Sequence, residues 1–156
     1  MSINFETAEN SDMNEILYLI NKINREWYSK IIPEEHFLDP FLTRRQLDHM
    51  ATIMDFFVLR ENGKIIAVGS LGSRDENTAW IPLMNVHSKY HRMGIGSSMM
   101  EFLEKLAKSR NFTKIHLETD SKAEWAINFY TKHGFSIFKR DKNPWGYHVW
   151  LEKSLK

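Results

Sequence analysis

The stretch Val86-His87-Ser88-Lys89-Tyr90-His91-Arg92-Met93-Gly94-Ile95-Gly96-Ser97 decides how this chain is read. Before it, Trp80 to Val86 is largely apolar and has the composition of a central strand. Behind it, Ile95, Met99, Phe102, Leu103 and Leu106 recur at helical spacing, with Glu101, Glu104, Lys105 and Lys108 on the opposite face. Gly94 and Gly96 therefore stand at a strand–loop–helix junction. A helix N-terminus offers unpaired N–H groups and the positive end of the dipole. Glycine removes the Cβ that would hold a phosphate away. Lys89, His91 and Arg92 add positive or polar donors. Together these favour an anion, a diphosphate above all; taken alone, the two glycines also fit a plain turn. Two phosphate loops are excluded. The sequence has no Gly-x-x-x-x-Gly-Lys-Ser/Thr, and a dinucleotide loop would carry a third glycine at 99, where Met99 stands.

Working outward, Ile3 to Thr7 reads as a first strand and Ser11 or Asp12 as a helix cap, with Glu15 placed three after Asp12 as in a capping box. Met13, Ile16, Leu17, Ile20, Ile23 and Trp27 then form a helical stripe. Tyr28 to Leu42, with Pro33 and Pro40, reads as a loop or broken helix. Thr43 and Gln46 form a second capping box, followed by Leu47, Met50, Ala51 and Met54. Phe56 to Leu59 and Ile65 to Leu71 flank Asn62-Gly63, a hairpin signal. Ile115 to Leu117 is a short strand, and Ala123 to Lys132 a helix stopped by Gly134. Phe135 to Phe138 and Tyr147 to Leu151 are strands, with Asn143, Pro144 and Gly146 in a loop between them.

The order β-α-α-β-β-β-α-β-α-β-β predicts about seven strands and about four helices in one α/β (α+β) domain with a mixed sheet. The strands at 80–86 and 113–118, joined by a long helix, are expected to be parallel. One domain is expected over 1–156, with two helices in about 11–54 and a core in about 56–155.

Bulk properties narrow the function. The 156 residues include 21 Lys+Arg and 20 Asp+Glu, a net charge of +1 that gives no general reason to expect nucleic acid. The absence of cysteine excludes disulfides and cysteine nucleophiles. No apolar run is long enough for a membrane span, and Met1 to Asn10 lacks the features of a signal peptide, so a cytoplasmic protein without a membrane partner is expected. Among the histidines, His87 and His91 are four apart but lie in a loop; no zinc pattern is present and no metal is expected. There is no Gly-x-Ser-x-Gly elbow.

The Val86–Ser97 segment resembles the acetyl-CoA loop of the GCN5-related N-acetyltransferase (GNAT) family, Gln/Arg-x-x-Gly-x-Gly/Ala. Ala126-Ile127-Asn128-Phe129-Tyr130-Thr131-Lys132-His133-Gly134-Phe135 resembles that family's second signature, Ala-Ile-x-x-Tyr-x-x-x-Gly-Phe. The two motifs occur in the family's order with a strand between them, and the resemblance covers about Phe56 to Leu155. Three positions depart from it: His91 fills the Gln/Arg slot, Ser88 replaces a frequent proline, and Ala123 stands where an asparagine often contacts the CoA arm.

The resemblance implies an acetyl-CoA-dependent N-acetyltransferase without metal, in which a primary amine attacks the thioester directly. The acceptor would be a small-molecule amine or a protein or peptide N-terminus. It implies a bulge in the strand at 80–86, splayed from the strand at 113–118 so that the pantetheine arm lies in the gap. Asn85, Val86, His91, Arg92, Met93, Gly94, Ile95, Gly96, Ser97 and Asn128 would hold CoA, with the Val86 N–H at the thioester carbonyl. Because His91 stands in the donor slot, cofactor affinity is expected to be lower or to depend on pH. Tyr130 matches the family's general acid, although a helix tyrosine can simply pack on a core. Glu118 matches the Leu-Glu-x pattern of the branch that acetylates protein N-termini, which makes it either the base or a solvated strand-end carboxylate. Asp120, His87 and a base acting through water stay open. The acceptor is expected between the N-terminal helices and the last hairpin, near Tyr28, Glu34, Glu35 and Trp145. A non-catalytic acyl-CoA sensor is the alternative, a homodimer through an exposed last strand is possible, and the near-neutral charge opposes nucleic-acid binding through Lys89, His91 and Arg92.

Overall fold

The computed structural model describes residues 3–156. The elements are β1 (Glu6–Thr7), α1 (Met13–Trp27), α2 (Arg44–Ile53), β2 (Asp55–Glu61), β3 (Lys64–Ser73), β4 (Thr78–Trp80), β5 (Met84–Val86), α3 (Ile95–Ser109), β6 (Lys114–Asp120), α4 (Glu124–Lys132), β7 (Ser136–Asn143) and β8 (Gly146–Ser154). They form an 8-stranded mixed sheet in the order β1-β2-β3-β4-β6-β8-β7, with β5 beside β3. The pair β4–β6 is parallel, as the intervening helix requires, and the other pairs are antiparallel. Ile16, Ile20, Leu47, Val58 and Val68 pack under α1 and α2. Met99, Leu103, Ile115, Leu117 and Phe135 fill the other face under α3 and α4.

The eighth strand arises because the expected strand at 80–86 is two strands, broken at Ile81-Pro82-Leu83. Proline has no N–H to give to a ladder. The Ile81 N–H still reaches the His116 carbonyl on β6 at 3.1 Å, but beyond Pro82 the chain follows β3 instead. Ser70 fixes the change of partner. Its backbone N–H donates to the Leu83 carbonyl at 2.9 Å, and its hydroxyl accepts the Leu83 N–H at 3.2 Å. The sheet thus divides after Ile81: β5 stays with β3, while β6 runs on to Asp120 with β8 alone beside it.

Two local expectations need correction. Asp12 and Glu15 do not cap one another. Oδ2 of Asp12 accepts the Glu9 N–H at 2.8 Å, and Oδ1 pairs with Arg60 of β2 at 2.8 Å. Glu15 accepts the Ile65 N–H at 2.6 Å, so both acids pin the start of α1 to the β2–β3 hairpin. The last strand is not an edge either. The β7–β8 hairpin pairs up to Asn143 and Gly146, leaving Pro144 and Trp145 as its turn, and β8 is enclosed between β6 and β7. The exposed edge is β7. The Thr43–Gln46 box does form, with reciprocal bonds of 3.2 and 2.8 Å, and Asn62 and Gly63 take φ of 52° and 78°, as a primed hairpin turn needs. Among the described residues, no helix is long and apolar enough to cross a membrane.

Candidate active site

The division of the sheet leaves a wedge between β5 and the second half of β6, and the strand registers say which peptide groups face it. On β3–β5 the hydrogen-bonded pairs are Ser70 with Leu83 and Ile66 with His87. By alternation, the N–H and C=O of Met84 and Val86 turn away from β3 into the wedge. On the other wall, the Ser121 N–H bonds Tyr147 and the Leu155 N–H bonds Thr113, so residues of odd number in β6 face β8. The His116 carbonyl, bonded to Ile81, confirms that the even ones face the other way. The peptide groups of Glu118 therefore turn into the wedge as well. Apart from the Val86 carbonyl, which His91 engages, these outward-turned backbone donors and acceptors suit an extended chain that carries amides.

A cavity of about 440 Å³ lies against β5 and runs on to the start of α3; its walls come from β5, the loop after it, α3, α4 and the end of α1, and neither Glu118 nor any other residue of β6 lines it. Asn85, Val86, His91, Arg92, Gly94, Ile95, Gly96 and Ser97 line it. At its outer end Arg92 (φ 63°) and Gly94 (φ 78°) adopt left-handed conformations that turn the loop into the helix. The first intrahelical bond of α3 runs from the Ser98 N–H to the Gly94 carbonyl at 3.0 Å. The N–H groups of Ile95, Gly96 and Ser97 precede it and point outward. A Cβ on Gly96 would stand 3.4 Å from the Phe129 ring, so the bare backbone is what keeps this cradle open. Lys132 joins Arg92 at the rim.

Three expected residues sit differently. Met93 is 53% exposed and Asn128 lies on the exposed side of α4; neither lines the cavity. His91 lines it, but its Nε2 is 2.7 Å from the Val86 carbonyl, so it braces β5 and leaves the Val86 N–H for the cavity. The Ser97 hydroxyl is 3.1 Å from Nε2 of His133. The sequence reading passed over Met84, Tyr90, Trp125, Phe129 and Lys132 as lining residues. Trp125 and Phe129 stand four apart, at the spacing that puts both beside Tyr130 on one side of α4, and that spacing was available as a signal.

Tyr130 lines the inner part of the cavity. Burial, assisted by the neighbouring Tyr28, pushes its phenol far above the ordinary 10, so it stays a neutral O–H donor. Tyr28 is also raised, mainly by burial, and its hydroxyl lies 3.1 Å from Thr119 on β6. The Trp125 ring stands 5.4 Å from both Trp27 and Tyr28, so aromatic side chains from α1 and its C-terminal turn reach across the wedge to α4.

Glu118 projects from β6 with Oε1 at 3.3 Å from Nε2 of His148, while its Oε2 is sealed from solvent and unpartnered. The hydrogen bond that the Glu118 carboxylate accepts is the main cause that raises the His148 imidazole above its ordinary 6.5, against burial. The other candidate bases are engaged. Asp120 accepts the Lys122 N–H at 2.9 Å and the Trp145 indole N–H. Nδ1 of His87 accepts the Lys89 N–H at 3.1 Å. Trp145 stacks on His36 with ring centres 5.3 Å apart, which ties the hairpin turn to the segment after α1. Glu34 and Glu35 are exposed and do not line the cavity. No group of three or more His, Cys, Asp or Glu suited to a metal occurs among the described residues.

Comparison with known proteins agrees with this architecture. The model of the acetyltransferase (GNAT) family matches residues 17–135. An N-alpha-acetyltransferase 50 of Danio rerio is 33% identical over 103 residues, 58% of this chain and 61% of that protein. A probable N-acetyltransferase san of Drosophila melanogaster is 37% identical over 104 residues, 58% of this chain and 55% of that protein. The matched part of this chain thus spans less than two thirds of either relative. Among solved structures, a paia N-acetyltransferase from Thermoplasma acidophilum in complex with coenzyme A superposes with a TM-score of 0.82 at 18% identity, covering 99% of both chains. A GNAT-family acetyltransferase from Staphylococcus aureus gives 0.79 at 22%, covering 99% of this chain and 100% of that one. At these identities the structures speak for the fold.

Proposed function

Because the chain belongs to the acetyltransferase (GNAT) family, we propose that it transfers an acetyl group from acetyl-CoA to a primary amine, by direct attack of the amine on the thioester. The observation that carries this reading is the wedge itself. Peptide groups of β5 and β6 turn into it, and the cavity along β5 has free helix N–H groups at one end and Tyr130 in its lining.

Each part has a chemical task. The N–H groups of Ile95, Gly96 and Ser97, with Arg92 and Lys132 at the rim, receive the diphosphate of CoA. The peptide groups of Met84 pair with the amides of the pantetheine arm, and the Val86 N–H, whose carbonyl His91 holds, turns to the thioester carbonyl, where negative charge develops. Tyr130 gives its proton to the departing thiolate as the C–S bond breaks, and the proton that leaves the amide nitrogen replaces it. Glu118 stands on the amine side.

A peptide N-terminus is the acceptor class we favour over a free small amine. The N-alpha-acetyltransferase name of the Danio rerio relative supports it. The test is thiol release from acetyl-CoA with a panel of N-terminal peptides and small amines, the acetylated product being identified by mass spectrometry. Turnover with peptides and not with amines supports the reading. Tight acetyl-CoA binding without turnover on any acceptor replaces it with the sensor.

A further inference from the structure

We infer that His148 takes the proton from the acceptor amine and that Glu118 is the carboxylate that orients it. This deepens the acetyl-transfer reading above and rests on it.

The argument begins with the register of β6 and β8. Asp120 pairs with His148, and Glu118 with Trp150, so all four side chains emerge on one sheet face. It is the face that carries α1 and α2, because Trp80, paired with His116, packs into the core beneath those helices. An acceptor arriving over this face meets the second half of β6 with β8 beside it. There Nε2 of His148 lies 3.3 Å from Oε1 of Glu118.

The two groups are not equally placed to accept a proton. Oε2 of Glu118 is sealed in the protein, so the carboxylate presents to the acceptor side only the oxygen that His148 already holds. The His148 side chain is 40% exposed, against 27% for Glu118. A neutral imidazole whose Nε2–H is given to Glu118 keeps the lone pair of Nδ1 free, and the structure gives Nδ1 no hydrogen-bond partner among the described residues. This is the division of labour in a carboxylate–histidine dyad: the acid fixes the tautomer and the ring accepts the proton.

The charges around the ring act in the same sense. Glu118 and Asp120 face it from β6, and Asp141 from β7, partly offset by Lys139 at 3.7 Å from Asp141; on β8 itself its neighbour is the edge of the Trp150 ring. These acids hold the imidazole above its ordinary value, against burial. A base near the working pH is a closer match to an alkylammonium than a carboxylate is.

The protons balance. The ammonium gives one proton to Nδ1, directly or through one water, and the free amine forms the C–N bond. The imidazolium, paired with Glu118, returns that proton to solvent. When the C–S bond breaks, the second proton leaving nitrogen makes good the one that Tyr130 supplies to the thiolate.

The test is kcat at saturating acetyl-CoA and acceptor, from pH 5.5 to 9, for the parent, His148→Gln and Glu118→Gln, with the acetyl-CoA dissociation constant measured for each. Two acceptors of different amine pKa identify the limb that belongs to the enzyme. The parent is expected to gain rate through a limb above pH 6.5. His148→Gln should lose that limb and fall at least tenfold at pH 7, with acetyl-CoA affinity unchanged within twofold, and added imidazole should restore part of the rate in His148→Ala. Glu118→Gln should move the limb to lower pH. An active parent whose limb is unmoved by His148→Gln overturns the assignment and leaves acetyl transfer standing. A parent that binds acetyl-CoA and turns over no acceptor overturns both.

Discussion

Nε2 of His91 lies 2.7 Å from the carbonyl oxygen of Val86, five residues earlier. The side chain in the slot of a phosphate donor is thus bonded to the wall of the wedge, and the Trp27 ring stands 5.4 Å from it. Neutral imidazole with Nε2–H and imidazolium both donate from Nε2, so protonation leaves this brace intact. The pH dependence expected from the sequence should therefore be absent: the acetyl-CoA dissociation constant should agree within twofold at pH 6 and pH 8. His91→Ala removes one hydrogen bond of about 1 kcal/mol and should weaken binding about fivefold at both pH values. Titration calorimetry reads both quantities. A pH-dependent parent that becomes pH-independent in His91→Ala would return His91 to the phosphates.

Gly96 separates binding from stability. In the first turn of α3 an alanine is favoured over glycine by up to about 1 kcal/mol, and its methyl would meet the Phe129 ring at 3.4 Å, close to ordinary contact. Gly96→Ala should melt no lower than the parent. The same methyl would stand in the cradle where the diphosphate approaches the helix N–H groups, so acetyl-CoA affinity should fall about tenfold or more. Scanning calorimetry and acetyl-CoA titration on one preparation check the pair of outcomes; unchanged affinity would move the diphosphate away from Gly96.

The sequence made the junction legible because its cues are local. Glycine at a helix start, a proline-free helical stripe and Asn62-Gly63 each act within a few residues, and each appears in the structure where it was expected. What it hid depends on partners distant in the chain. The break at Pro82 is stabilised by Ser70, which bonds Leu83 from thirteen positions away along the chain, and no pattern within 80–86 names that partner. Asp12 and Glu15 had the spacing of a local cap, but Arg60 and the Ile65 N–H, brought close by the sheet, took the two carboxylates instead. His148 drew no notice for the same reason: its link to Glu118 exists only because β8 lies beside β6.

Asp12 ties α1 to the sheet and should govern part of the acid sensitivity. The Glu9 backbone N–H, and then Arg60, hold its carboxyl below the ordinary value, against burial. A carboxyl lowered in the folded state contributes stability that is complete above the unfolded pKa of about 3.9 and is lost as pH falls through the folded value. Asp12→Asn leaves Arg60 without its buried partner and should cost about 2 kcal/mol at pH 7. Urea unfolding from pH 7 to pH 2.5 should show the two curves converge below about pH 4. A difference that persists at pH 2.5 would mean that packing, not charge, is what the substitution disturbs.

Tyr130 is the sharpest test of the chemistry, since one oxygen atom decides it. Its ring touches the core around Phe135 and the Phe129 ring, and both contacts survive in phenylalanine. Tyr130→Phe should therefore fold like the parent and bind acetyl-CoA within twofold. Because burial keeps the phenol neutral through the accessible pH range, the parent's profile should carry no limb from this group below about pH 10. What the variant loses is the proton offered to the thiolate, so kcat should fall by about 100-fold, within the range for a positioned acid. The loss should shrink for an acyl donor whose leaving thiol is more acidic, because such a thiolate departs without help. An equal loss with both donors would leave Tyr130 a role in holding the thioester and none in protonating its sulfur.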